Sequence, residues 1–410
     1  MIQLIYAGEE LPKSITKSIF LAGPTLRGEN NTDVLDWRML SIQILDAMGY
    51  DGVVYLPIKR DSIFEDTEEA YIEQVEWEET CLNVCDKILF WCNFEKEQLP
   101  GLTTRDEWGA WKYSGKCIFG AEDNAYKARY AKYYAEKLRI PVYNNLYLAL
   151  AKCIEELGDG AIRNYAEVTV PLEIWNHSAF KSWYTNLKKS GNELKACRVL
   201  SWHRIPSSNK LFAFTIWTKV FIKGENRYKE NEFFFGRPDI SSCVLYYPNY
   251  LNGQLSVLDT EVVLVKEYRV PVNNESGYVF EVPGGSSFKP DEDPNITVQH
   301  EIEEETGLRI DKNRLVYLDS KQLQATTLSH QAHVWCYELI QSELDYLKSI
   351  KGKVQGNEED TERTYVEVVT LRDLLDTKKY YLEGSVYPDW STMGMILQAI
   401  HTYEPNSNLL

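Results

Sequence analysis

No apolar run in this sequence is long enough to span a bilayer, and the opening MIQLIYAGEELPKS lacks the basic start and apolar stretch of an export signal. A soluble, cytoplasmic protein is therefore expected. Positive charge is also scarce. Forty-four Lys plus Arg stand against 61 Asp plus Glu, a net charge of -17, which disfavours nucleic-acid or anionic-membrane partners and suits divalent cations. The eight cysteines show no paired metal-binding spacing. Cys81, Cys85 and Cys92 are expected to be reduced, buried thiols rather than metal ligands. There is no internal repeat and no low-complexity tract.

What is present is a chain of 410 residues, 44% of them apolar, enough for two buried cores. The first block alternates short β-branched or aromatic runs with helical patterns. SIFLAGP (18–24), GVVYLP (52–57), KILFWC (87–92), KCIFG (116–120) and IPVYN (140–144) read as strands, with helices near 33–48, 68–84, 104–113, 126–138 and 145–157. Strict alternation with nearly continuous apolar strands predicts a doubly wound parallel sheet covered on both faces. Its ligand crevice then lies beyond the carboxyl ends of the strands.

After GDG (158–160) the pattern predicts a helical connector, and from about residue 195 the texture changes to long strands. The expected division is a first domain at 1–157, a connector at 158–194 and a mixed-sheet α/β/α domain at 195–410. The last block contains QHEIEEETGLRI (299–310), with four glutamates in five consecutive positions and then a glycine. On a helix, Glu301, Glu304 and Glu305 share about a third of the circumference, while Glu303 points away. Three converging carboxylates repel one another, so a cation is their natural partner. Upstream, VPGGSS (282–287) places Gly285 where a backbone carbonyl can approach an ion closely.

These residues resemble the box of the Nudix hydrolases, G-x5-E-x7-R-E-U-x-E-E-x-G-U. Glu292, Glu301, Ile302, Glu304, Glu305, Gly307 and Leu308 match; His300 stands in place of Arg, and Gly285 lies one residue early. The resemblance implies hydrolysis of a nucleoside diphosphate derivative with Mg2+ (or Mn2+), held by Glu301, Glu304, Glu305 and Gly285, with Glu304 and Glu305 catalytic. FEVPGG (280–285) and VEVVTLRDLLD (366–376) look most like ADP-ribose or ADP-sugar pyrophosphatases, which implies a substrate contact at Glu281 and a catalytic loop acid. Glu358, Glu359 and Glu362 are the candidates for that acid, and Glu359 stands for the three. His300 is expected to orient a metal carboxylate when protonated. His330 and His333 are expected at the surface.

In the first block, IFLAGPT (19–25), DWRML (36–40), VEWEETCLNVCDKILFW (75–91) and TTRDEWGAWKYSGK (103–116) together resemble the nucleoside 2-deoxyribosyltransferase-like family. Cleaving an N-glycosidic bond needs a carboxylate near the anomeric carbon and an acid that assists base departure. The resemblance implies Glu107 as nucleophile and Glu78 as the second acid, with Gly23 and Pro24 forming the pocket floor. Arg38 is open between substrate contact and a surface ion pair. For Trp77, Trp91, Trp108 and Trp111, core packing is the expectation. Where transferases acting on free nucleosides often carry a sugar-binding acid, this chain has Gly101; Thr103, Thr104 and Arg105 instead suggest an anion such as a 5'-phosphate. The expectation is a bifunctional homo-oligomeric enzyme acting on small-molecule nucleotides. The alternative is a nucleotide sensor without turnover at one or both sites.

Overall fold

The computed structural model describes residues 1–25, 36–60, 67–96, 99–287, 292–356, 362–376 and 388–403, in two compact units, Met1–Arg237 and Pro238–Leu410. No helix among the described residues is long and apolar enough to cross a membrane.

The first unit is built on a parallel sheet. Its strands are β1 (Gln3–Tyr6), β2 (Ser18–Ala22), β3 (Val53–Leu56), β4 (Lys87–Trp91), β5 (Cys117–Gly120) and β6 (Val142–Tyr143), in the order β1-β3-β2-β4-β5-β6. All five residues of β2 are buried because helices cover both faces. On one face, α2 (Glu68–Val84), α3 (Leu102–Trp111) and α4 (Arg129–Lys137) bury Cys81, Leu82, Trp108 and Ala135 against Phe20, Phe90 and Phe119. On the other, α1 (Trp37–Ala47) and α5 (Leu146–Leu157) bury Leu45, Ala149 and Leu150 against Ile19, Leu21 and Leu89. Local signals set the helix starts: the side chains of Asp36, Thr67 and Asn145 accept backbone N–H groups at the beginnings of α1, α2 and α5.

The expected strands and helices of this block are all present, and β1 is an addition. QLIY is a four-residue edge strand whose burial does not alternate cleanly, so periodicity alone left no mark. The expected boundary at residue 195 moves to 237/238. The reason lies in the connector. Arg163 is fully buried and pairs with buried Asp86 at 2.6 Å, while Asp86 also accepts from Ser18 Oγ and the Leu172 backbone N–H. Helix α6 (Ser178–Lys189) then packs Phe180 against Leu194, Phe214 and Ile216 of an antiparallel sheet. That sheet consists of β7 (Glu193–Arg204), β8 (Leu211–Ile222) and β9 (Arg227–Gly236), and it belongs to the first unit.

The second unit is a mixed sheet between two helical layers. Strands β10 (Ile240–Tyr247), β11 (Glu261–Tyr268), β12 (Tyr278–Glu281), β13 (Gly284–Gly285), β14 (Val316–Gln322), β15 (Gln331–Glu338), β16 (Val354–Gln355) and β17 (Thr364–Thr370) form it. The order is β14-β15-β10-β11-β17-β16, with β12 on β11 and β13 on β10; only β10 and β15 run parallel. One face is covered by α7 (Pro294–Thr306) and α8 (Gln341–Ser349), the other by α9 (Leu371–Leu375) and α10 (Trp390–Tyr403). Gly307 ends α7 with φ +66°, a left-handed cap that glycine adopts without strain.

Candidate functional sites

In the parallel sheet the chain leaves β2 toward β3 on one side and returns to β4 on the other, so the direction of winding switches between β2 and β4. A crevice beyond their carboxyl ends follows from that switch. Gly23, just after β2, is tightly enclosed: a Cβ there would lie 2.6 Å from both the Trp37 ring and the Trp91 carbonyl oxygen. The Pro24 carbonyl accepts from Trp37 Nε1 at 3.1 Å. Arg38, only 1% exposed, donates to the carbonyls of Leu21 (3.2 Å), Gly23 (2.5 Å) and Pro24 (3.4 Å) and to Thr25 Oγ1 (3.2 Å). Among the described residues it forms no ion pair. Its guanidinium is committed to shaping the loop after β2.

Glu107 and Glu78 both lie in the electrostatic field of Arg38. Burial pushes the Glu107 carboxyl up to about 8, Glu78 adds to the rise, Arg38 opposes it and Asp106 raises it further. Burial also raises Glu78, while a 2.9 Å hydrogen bond from Gln74 and the charge of Arg38 hold it down. Both carboxyls are raised, so burial works against ionising either of them. The helix dipole does not help. Glu107 is the sixth residue of α3, beyond the first turn where the dipole acts.

Thr103 is exposed, Thr104 is buried, and Arg105 is used as a strut. Arg105 donates to the carbonyls of Pro100 (3.2 Å), Tyr126 (3.1 Å) and Lys127 (3.2 Å) and lies over the Phe94 ring at 3.9 Å. These neutral acceptors occupy N–H groups of Arg105 and leave its charge uncompensated. At Gly101 the backbone has φ +59°, and a Cβ would come within 2.3 Å of the same Phe94 ring, so an acid at this place is sterically excluded. Trp108 packs on Phe90 and Phe119, and Trp77 donates to the Glu9 carbonyl. All eight cysteines are buried free thiols. Two contributors escaped the sequence reading: Trp37, whose ring closes over Gly23, and Gln74, which sits one turn before Glu78 and could have been found by that spacing.

In the second unit the carboxylates gather around α7 and β11. One oxygen from each of Glu267, Glu305 and Glu362 lies within 4.8 Å of the others. Glu305, 2% exposed, accepts from the Gly284 backbone N–H at 2.8 Å. Gly285 touches Glu301, since a Cβ would lie 2.5 Å from its Oε1. Burial, followed by neighbouring carboxylates, raises Glu305 well above the usual range and Glu301 to about 7. Glu267 is raised to about 7, burial again first, with Arg269 opposing. Glu281 is raised by burial and eased by Arg269. Arg269 is the cation facing this group, 2.7 Å from Glu267, 3.6 Å from Glu281 and 3.9 Å from Glu362. So many buried carboxylates around one arginine fit a divalent cation.

Of the expected set, Glu305 belongs to this cluster and Glu301 lies near enough for its charge to raise Glu305. Glu304 is more exposed, yet its charge still raises Glu301. Glu303 points away and pairs with Arg309 at 2.6 Å. Glu358 and Glu359 lie outside the described residues, whereas Glu362 is in the cluster. Glu267 was missed. Its signal is the alternation in VVLVKEY: Val263 faces α7, and two steps of two residues put Glu267 on the same side. His300 is exposed and makes no hydrogen bond or ion pair with a described residue, so its expected orienting role has no contact behind it. Of the two histidines expected at the surface, His333 keeps partial exposure and His330 does not. His330 is buried, and half-buried His333 lies 3.4 Å from Asp239.

Comparison with curated proteins finds no match for the chain. Residues 16–125, which carry β2 to β5 and both Glu78 and Glu107, match the family model described as nucleoside 2-deoxyribosyltransferase like, and this stretch of the first unit is a domain of that kind.

Proposed function

We propose that the chain is a bifunctional enzyme of nucleotide metabolism, cleaving or transferring an N-glycosidic bond in the first unit and hydrolysing an ADP-ribose-like diphosphate in the second. The observation that carries the first part is the Glu78–Glu107 pair beside buried Arg38, within the matched stretch. In the reaction Glu107 attacks the anomeric carbon, the C–N bond breaks, and Glu78 gives its proton to the departing base. The resulting glycosyl ester on Glu107 is then released by water or by a second base. This requires one proton on the pair, held by Glu78 at the moment of attack. Both carboxyls are raised in the free protein, so the pair holds that proton jointly, and substrate binding has to favour its placement on Glu78.

For the second unit the reading is Nudix-type hydrolysis, supported by the spacing of Glu292, Glu301, Glu304, Glu305 and Gly307 and by the carboxylate cluster. Glu267, Glu305 and Glu362 would hold Mg2+ or Mn2+, with Glu301 and the Gly285 carbonyl beside them. The cation supplies charge neutralisation at the diphosphate and a more acidic water. Gly284 fixes Glu305 through its N–H, and Arg269 limits the repulsion among the carboxylates. A second reading, nucleotide binding without turnover, is favoured by one observation: exposed His300 replaces the arginine of the Nudix pattern. The test is a panel running from nucleosides through 5'-monophosphates to NAD, with products identified by mass. Base release or exchange is expected with the native chain and absent in Glu107→Gln. If no compound in the panel loses its base, the first unit is a binding module.

A further inference from the structure

At the amino-terminal edge of the parallel sheet, where β4 and β5 begin, the first unit has a cavity of about 400 Å3. It is lined by Lys87 at the start of β4, by Arg139, by Lys152 on α5, and by Arg204 and Lys210 from the β7–β8 hairpin. Glu156 and Glu173 are the acids among the lining residues, so five cations face two carboxylates. In a chain of net charge -17, composition alone would produce the opposite balance.

The pairing within the cavity does not consume this surplus. Lys87 pairs with Glu156, and Arg204 holds Glu173 through two hydrogen bonds of 2.8 and 2.5 Å. Arg139 donates to the carbonyls of Pro206 and Ser207, which are neutral acceptors and leave its charge uncompensated. Lys152 shares Glu156 at 3.6 Å and otherwise reaches Glu155 at 3.1 Å. Lys210 makes no ion pair with a described residue. Lys87 and Arg204 have only 14% and 13% of their side chains exposed, so their charges act in a partly desolvated setting where screening is weak.

We infer that this cavity is a binding site for a compact phosphate-bearing anion. Its volume falls in the usual range for small-molecule sites, about 300–1,000 Å3. Among the described residues no aromatic side chain lines it, so they offer no surface on which a base would stack. That favours pyrophosphate or a sugar phosphate over a nucleotide. Hydroxyl and amide groups of Ser207, Ser208 and Asn209 on the hairpin supply further donors, and an anion held here fastens the hairpin to the sheet edge. The site does not depend on either catalytic reading.

The experiment measures thermal unfolding of the full chain in EDTA at constant ionic strength, titrated with pyrophosphate, inorganic phosphate, ribose 5-phosphate or, as control, chloride. A saturable rise in Tm with at least one phosphate compound is expected, and which one distinguishes the inorganic from the sugar ligand. Lys210→Glu and Lys152→Glu should each weaken the apparent affinity about tenfold or more, because the ligand binds only the folded state and each change reverses a charge at the site. Glu107→Gln and Glu305→Gln should leave it unchanged. Circular dichroism of each variant without ligand shows that it is folded, and Lys210→Gln serves as a milder substitution in the same position. Equal stabilisation by chloride, no saturable shift, undiminished affinity in the folded Lys210 and Lys152 variants, or loss of the shift in Glu107→Gln or Glu305→Gln would each overturn the assignment.

Discussion

Glu107 illustrates how a residue suited to chemistry costs the fold stability. Its carboxyl has a value near 4.5 when unfolded and about 8 in the folded chain, chiefly because of burial. A group whose folded value is raised contributes stability that is fully present below the unfolded value and is lost as pH rises through the folded one. Glu107→Gln removes that loss, so the variant's Tm should exceed that of the native chain at pH 8–9 and differ little near pH 4.5. A Tm difference independent of pH would contradict the burial argument. In the proposed reaction the same proton governs catalysis. Because the pair must carry one proton, kcat/KM for base release should be bell-shaped, with its alkaline limb near pH 8. A plateau extending above pH 9 would show that Glu78 is not the acid. At the other cluster, Glu267→Gln should reduce the proposed pyrophosphatase turnover about 10²-fold, as for Glu305→Gln, since both would hold the proposed cation, while Glu303→Gln should be nearly silent. Glu305 was legible from helical spacing. Glu267 was not, because a single acid at the end of an apolar strand shows its importance only once the strand has been placed beside α7.

At the scale of elements, the sequence pattern predicted most of the first unit because its strands are buried on both faces and its helices begin at capping side chains. It misplaced the β7–β9 sheet, whose long alternating strands look like the start of a new domain. What assigns that sheet to the first unit is long-range packing: Phe180 on Phe214, and the buried Arg163–Asp86 pair, which no local window contains. Loop geometry was likewise invisible. Gly101 read as a missing acid, but its φ of +59° and the adjacent Phe94 ring make it a structural glycine. Gly101→Ala should therefore destabilise the chain by about 1–3 kcal/mol, from a left-handed backbone and overpacking. In the same helix Gly109 has nothing within 4 Å of a built Cβ, so Gly109→Ala should stabilise by up to about 1 kcal/mol. Chemical denaturation of both variants checks this pair, and equal effects would contradict it.

On the scale of the whole molecule, two units each have their own core and their own cluster of raised carboxylates. The overall negative charge suits a cation in the second unit, and it makes the cationic cavity in the first all the more specific. Sites with separate residues and separate cores should lose function independently, because substitutions that share no partners act additively. The most direct measurement of the central claim follows both activities in one set of proteins. The native chain, Glu107→Gln and Glu305→Gln are each incubated with NAD, a nucleoside 5'-monophosphate and ADP-ribose, with and without Mg2+, and the released base and monophosphates are quantified by mass. Glu107→Gln should lose base release and keep diphosphate hydrolysis within about twofold, Glu305→Gln should do the reverse, and only hydrolysis should require Mg2+. Loss of both activities in either variant, or neither activity in the native chain, would contradict two independent catalytic sites.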